Sequence, residues 1–107
     1  MAQDFTEIKE RNIGTSATTL LTANTNDCII GLRVCNVAST AITVTVFVTS
    51  GGADYNLQFN SPISVGGSLE VTGGSKINLQ SGSVLKIKSS TASSVDVWGS
   101  YIDAISA

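Results

Sequence analysis

The chain has 107 residues, which is enough for one domain with a single hydrophobic core. Its six basic and eight acidic residues give a net charge of −2, and without a cluster of cations this balance argues against a nucleic-acid partner. Charged residues make up only 13% of the chain, against about 25% in ordinary soluble domains. We therefore expect a neutral, hydroxyl-rich surface that favours association with copies of the chain or with other proteins.

The first twelve residues differ in composition from the rest of the chain. Five of the fourteen charged residues lie here, and no secretory signal or membrane-length apolar run is apparent, so we expect synthesis in a cytoplasm. We predict an N-terminal arm at residues 1–12 and a folded domain at residues 13–107. The arm is either a frayed or edge-strand terminus or a segment that reaches a neighbouring subunit, with Phe5, Ile8 and Arg11 as its contact residues.

From residue 13 onward, short β-branched and apolar runs alternate with Gly, Ser and Asn clusters, a spacing typical of sandwiches and barrels. After a strand at 18–22, residues 28–37 are apolar on both sides and predict a central strand, with Ile30 on the same face as Leu32 and Val34. Residues 41–49 predict a strand with valines and Ile42 on one face. The short link between these two strands favours an antiparallel hairpin.

The two cysteines, Cys28 and Cys35, are seven residues apart within one predicted strand. An odd separation in a regular strand places two side chains on opposite faces, too far apart for a disulfide. We expect two free thiols that pack as small apolar groups.

The second half of the chain predicts five more strands, at 55–59, 69–71, 76–79, 84–88 and 95–102. Strand 76–79 pairs most simply with 84–88, and Trp98 shares a face with Asp96 and Ser100. The count of eight or nine strands indicates an all-β fold, an antiparallel β-sandwich of about eight strands with jelly-roll-like or immunoglobulin-like topology. A small closed barrel is the second choice.

No arrangement of residues points to catalysis. Without histidine, the commonest general base is missing, and the carboxylates are not spaced to flank a substrate or a metal. We expect no enzyme, cofactor or metal site. Either face of the last strand could be the inner one, so Trp98 packs either in the core or at an interface. Trp98 and Tyr101 are predicted as interface residues, since tryptophan is enriched in protein contacts, and the alternative is an aromatic platform for sugars that includes Tyr55.

Taken in order, the segments ATTLLTA, CIIGLRVCNVAS, ITVTVFV, PISVGGSLEV, GGSKINLQSGSVLKIKSS and SSVDVW resemble small structural proteins of tailed-bacteriophage virions. The likeness covers about residues 13–100 and is greatest to head decoration (cement) proteins and related tail or fibre modules. It implies a homotrimer or other small homo-oligomer in the virion, seated on a major capsid or tail protein and stabilising the head by buried contact. A tail, neck or fibre component and a carbohydrate-binding host-adhesion module are the alternatives.

Overall fold

The computed structural model describes residues 4–73 and 75–103, and these residues form nine β-strands in two antiparallel sheets. None of them belongs to a helix long and apolar enough to span a membrane. The strands are β1 Asp4–Ile13, β2 Thr18–Thr22, β3 Asp27–Asn36, β4 Ile42–Ser50, β5 Ala53–Ile63, β6 Ser68–Glu70, β7 Ile77–Leu79, β8 Val84–Ser89 and β9 Val95–Asp103.

The two sheets have a nested strand order. The five-stranded sheet runs β1-β9-β3-β6, with β7 also on β3, and the four-stranded sheet runs β2-β8-β4-β5. The chain forms one long antiparallel ribbon that folds over on itself. Its strand pairs are β1 with β9, β2 with β8, β3 with β6 and β7, and β4 with β5. This is a jelly roll, so the predicted sandwich is confirmed and the first of its two topologies applies.

The core lies between the sheets and is built from alternate residues of the long strands. The predicted inward face of β4 is confirmed, because Ile42 and the valines at 44, 46 and 48 belong to the hydrophobic core, whereas Thr45 and Phe47 are buried on the other face. The largest fully buried side chains come from both sheets: Ile13, Ile29, Leu32, Leu85 and Ile87. Every buried side-chain nitrogen or oxygen among the described residues has a hydrogen-bond partner, so the interior is both packed and satisfied.

The predicted faces of β3 were wrong at its first half, because the strand contains a bulge. Ile29 pairs with Tyr101 and Gly31 with Ser100, which leaves Ile30 as an extra residue. Ile29, rather than Ile30, is therefore buried with Leu32 and Val34. The same shift puts Cys28 and Cys35 on one face of the strand instead of opposite faces. Both thiols are free, as expected.

The two predicted hairpins were also wrong, since each pair of strands is divided between the sheets. β3 and β4 belong to different sheets, and so do β7, which pairs with β3, and β8, which pairs with β2 and β4. The links at residues 37–41 and 80–83 cross from one sheet to the other. The length of a link does not distinguish a hairpin from such a crossing. Two strands that each have an apolar face bury more apolar surface when they face each other across a core than when they pair side by side in one sheet.

The segment predicted as an arm contains a strand of the sandwich. Residues 4–13 pair with β9 from Asp4 opposite Asp103 to Ile13 opposite Val95, and residues 1–3 of the predicted arm lie outside the described residues. Of the edge-strand and neighbour-reaching alternatives, this placement is the edge strand. The strand leaves one backbone edge of the five-stranded sheet unpaired among the described strands.

Replacing Gly99 by alanine should lower the free energy of unfolding by about 1–3 kcal/mol. A Cβ at Gly99 would lie 2.6 Å from the Gly31 carbonyl oxygen and 2.8 Å from Leu32 Cδ1, so β3 and β9 would have to move apart. The matched control is Gly31→Ala, because a Cβ there meets nothing within 4 Å. Urea unfolding should give a much lower midpoint for the Gly99 variant alone, and equal midpoints for the two variants would contradict this packing.

Candidate surface for subunit contact

A tryptophan lies exposed in the middle of the outer face of the five-stranded sheet. Trp98 on β9 pairs with Lys9 on β1 and with Arg33 on β3, so the three side chains emerge side by side. Glu70 on β6 continues the line opposite Arg33. We call these four residues the indole row. Trp98 is 57% exposed although the sheet offers a core face, and the prediction that it shares its face with Asp96 and Ser100 is confirmed.

The indole row is held in place mainly through Glu70. One carboxylate oxygen of Glu70 accepts hydrogen bonds from the backbone N–H of Leu32 at 3.0 Å and from the hydroxyl of Thr72 at 3.1 Å. The other oxygen lies 4.0 Å from Arg33 Nη2. An exposed ion pair of this kind stabilises the fold little, but it restrains the arginine beside Trp98.

Two shallow depressions flank the indole row. The larger, of about 500 Å³, lies over β1, β9 and β3 and is lined by Lys9, Glu10, Arg11, Arg33, Cys35, Asp96, Val97 and Trp98. The smaller, of about 400 Å³, lies toward Ser100 and includes Gly31, whose missing side chain leaves the floor open. Trp98 and Arg33 line both depressions, so they form a ridge between them. A partner that fills both depressions would contact the two sides of this ridge.

A bulge in β1 shapes the edge of the larger depression. Asn12 has a φ of 58° and lies in the irregular stretch between Glu10, opposite Val97, and Ile13, opposite Val95. Its backbone N–H donates to Asp96 Oδ1 at 3.3 Å. Arg11, next to this bulge, is exposed, and none of the ion pairs within the described ranges includes it. The guanidinium is therefore available to a partner.

The residues predicted for contact divide into exposed and internal ones. Phe5 is 74% exposed and lies on the same outer face as Lys9, four residues along β1. Ile8 is only 2% exposed and packs in the core of its own subunit, because it is opposite Gly99 on the inner face. Tyr101 is half-buried against the same core. The indole row, Phe5 and Arg11 thus remain as surface candidates, and we call them together the indole face.

Tyr101 should make stability depend on pH in the alkaline range. Burial, then the carboxylates of Asp103 and Asp27, raise the pKa of its phenol above 10.0, and a hydrogen bond with Thr6 opposes them. The folded state therefore binds the phenolic proton more tightly than the unfolded chain. This contribution is complete below pH 10.0 and is lost as pH rises through the folded pKa.

The matched variant for that prediction is Tyr101→Phe. The tyrosinate absorbance of the wild type minus that of the variant should rise with a midpoint above pH 10.0. The wild type should also lose more stability than the variant across that range in urea unfolding. If this absorbance difference has its midpoint at or below pH 10.0, Tyr101 does not have the surroundings described.

A second apolar surface, which the sequence analysis did not identify, lies along β5. Tyr55 and Phe59 on this edge strand are 60% and 66% exposed, and Val65 just after it is 58% exposed. Residues 34–69 contain one charged residue, Asp54. That near absence of charge is the signal from which the surface could have been found. We call the exposed residues Tyr55, Phe59 and Val65, together with the exposed Asp54 that precedes Tyr55 in the strand, the β5 surface.

The β5 surface lies at the edge of the sandwich that is far from β1. β1 packs beside β2 and β8, whereas Gln58 of β5 donates to the carbonyl of Val71, next to β6, at 3.5 Å. β5 therefore lies at the edge of the sandwich opposite β1. Two bulges, one with Asn60 at a φ of 47°, interrupt the β5 edge and disfavour strand pairing there, so its side chains are the available contacts.

The described ranges show no arrangement suited to metal chemistry. No three His, Cys, Asp or Glu side chains in residues 4–73 and 75–103 are grouped so as to hold a metal ion. The depressions beside Trp98 offer an indole and paired charges, which suit recognition of a surface by contact.

Two solved structures have a similar fold, while no protein-family model and no curated protein sequence matches the chain. Each is a crystal structure of a pentameric capsid protein isolated from metagenomic phage sequences. The TM-scores are 0.50 and 0.51, both at 21% identity over 92% of this chain. The chain spans 64% and 62% of the length of these proteins, which is less than two thirds. The chain thus shares its two-sheet fold with these capsid proteins.

Proposed function

We propose that this chain is a structural protein of a phage virion, which decorates and cements the capsid as a small homo-oligomer. The observation that carries the proposal is the fold likeness over 92% of the chain to two proteins described as phage capsid proteins. Because one fold serves many functions, the surface has to support the same role. It does so with an exposed tryptophan and few charges, features that favour contact with proteins.

The mechanism is stabilisation by binding to the assembled shell. A protein that binds the shell and not its separated subunits stabilises the shell by mass action, by about 2.7 kcal/mol per site at a hundredfold excess over the Kd. Several subunits held in one oligomer multiply the effect, because each further contact is made at a high effective concentration. No step in this mechanism needs a catalytic group.

Particles that lack this chain test the proposal. We expect them to release their DNA at a lower temperature than complete particles, as followed by a DNA-binding dye during heating. Adding back the purified wild-type chain should restore the release temperature. An unchanged release temperature in particles lacking the chain would rule out the cement role, and antibody labelling confined to the tail or fibres would move the protein to that part of the virion.

Glycan binding is the second candidate, and the exposed Trp98 beside a depression of about 500 Å³ favours it. Sugars stack on exposed aromatic rings, and the charged neighbours of Trp98 would donate and accept hydrogen bonds. A glycan array with the wild type and Trp98→Ala distinguishes the two roles. Binding that the substitution removes would support adhesion, whereas no binding at millimolar sugar would contradict it.

A further inference from the structure

We infer that copies of this chain join head to tail, with the indole face of one copy against the β5 surface of the next. The inference deepens the proposed function, on which it rests, by naming the two surfaces through which the oligomer forms. The partner of each surface is a second copy of this chain. The location, chemistry and charge of the two surfaces support this assignment.

The two surfaces are centred on different sheets, so one symmetric contact centred on either of them would not cover both. The indole face runs across β1, β9, β3 and β6 with Trp98 at its centre, and the β5 surface lies on the edge strand of the other sheet, at the end of the sandwich away from β1. A two-fold contact buries the same patch on both subunits, so it would cover one of these surfaces and leave the other exposed. A head-to-tail contact covers both, and repeating it closes a ring when the rotation between copies allows.

The side chains on the two surfaces are those that dominate protein contacts. The indole face supplies Trp98 with Arg11 and Arg33, and the β5 surface supplies Tyr55 and Phe59. Trp, Tyr and Arg are the residue types most enriched among energetically important contacts. Five of the six large apolar side chains that are strongly exposed within the described ranges belong to these two surfaces: Phe5, Trp98, Tyr55, Phe59 and Val65.

Charge distinguishes which surface meets which. On the indole face, Lys9 lies 3.7 Å from Glu7 and Arg33 lies 4.0 Å from Glu70, whereas no ion pair within the described ranges includes Arg11. On the β5 surface, the one charged residue is Asp54, an exposed carboxylate that accepts a hydrogen bond from the Thr49 hydroxyl at 2.7 Å. Arg11, a cation with no ion-pair partner among the described residues, thus has one exposed carboxylate to meet on the next copy.

The test compares the mass of the wild type with the masses of two charged variants, Trp98→Asp and Phe59→Asp, by native mass spectrometry and light scattering. We expect the wild type to form closed oligomers. Each variant should bind at least tenfold more weakly and run as a monomer at the same concentration, because each loses one of the two surfaces. Thr19→Asp, on the exposed outer side of β2, is the matched control and should keep the oligomer.

Mixing the two variants gives the sharpest result. Trp98→Asp retains the β5 surface and Phe59→Asp retains the indole face, so an equal mixture should form one-to-one dimers and nothing larger. Circular dichroism and the milder pair Trp98→Ala and Phe59→Ala verify that the variants fold, which exposed positions should permit. An oligomer that persists in Phe59→Asp, or a mixture that stays monomeric, would overturn the head-to-tail contact.

The outcome for the oligomer is separable from the outcome for the capsid. A wild-type chain that is monomeric up to high concentration but still raises the DNA-release temperature of particles would overturn the head-to-tail contact and leave the capsid role standing. A closed oligomer that does not change the particles would overturn the capsid role and leave the contact standing.

Discussion

Replacing Asn36 by alanine is expected to lower the free energy of unfolding by about 3 kcal/mol. The side chain is 2% exposed, and its amide nitrogen donates to the carbonyl oxygens of Thr40, Ile63 and Ser64 at 2.9, 3.1 and 3.1 Å. Its amide oxygen accepts from the backbone N–H of Ala38 at 2.8 Å. One side chain thus joins the end of β3 to the crossing before β4 and to the loop after β5.

The cost is large because alanine would leave one buried and three partly buried backbone groups without this partner. Each unsatisfied buried group costs about 1–3 kcal/mol, more than the net gain from an average hydrogen bond. Asn36→Asp should be at least as harmful, since a carboxylate cannot donate to the three carbonyl oxygens. Asn78→Ala, at an exposed position of β7, is the control. Equal urea midpoints for Asn36→Ala and the control would contradict this role of the hydrogen bonds of the Asn36 side chain.

Replacing Ile87 by alanine is expected to cost about 2–5 kcal/mol, a large share of the total stability of a domain of this size. Ile87 is fully buried in the middle of β8 and pairs with Val46 on one side and Thr18 on the other. Both neighbouring strands fix the β8 backbone, so the core cannot collapse far into the space that the substitution leaves.

The control for Ile87 is the next residue on the same strand. Lys88 points to the exposed outer side of β8, and Lys88→Ala should change the free energy of unfolding by no more than about 0.5 kcal/mol. Thermal and urea unfolding of the two variants compare an inward and an outward position in one strand. A loss below about 1 kcal/mol for Ile87→Ala would mean that the two sheets do not pack as described.

The sequence predicts strands well where alternation is undisturbed. In β4, the period of two in Ile42, Val44 and Val46 is matched by their place in the hydrophobic core, and in β9 it correctly puts Trp98 on the face opposite Val97. These strands pair over most of their length in a regular register, so side-chain direction follows from position alone.

Bulges and crossings limit what the sequence predicts. One extra residue at Ile30 reverses the faces of the first half of β3, and nothing in the local run of apolar residues marks it. The crossing after Asn36 resembles a hairpin link in length, and the hydrogen bonds that hold it reach residues 63 and 64, far along the chain. Such long-range contacts are visible only in the folded chain.

The candidate surface was predictable in part for the same reasons. Trp98 and Phe5, which are exposed, were predicted from residue type and position, whereas Ile8 was assigned to contact because its pairing with Gly99 on the inner face could not be known. The β5 surface was not predicted, because bulges break the alternation of the strand around Tyr55 and Phe59. The single charge in residues 34–69 is the sequence feature that indicates this surface.

We propose that this jelly roll acts by packing in a virion, through the indole face. Cryo-electron microscopy of purified virions tests it most directly. We predict density for the two-sheet fold on the capsid, arranged in closed groups, with Trp98 covered by a neighbouring copy. Intact virions in which this chain is absent, or in which it is present with Trp98 facing solvent in every copy, would contradict the claim.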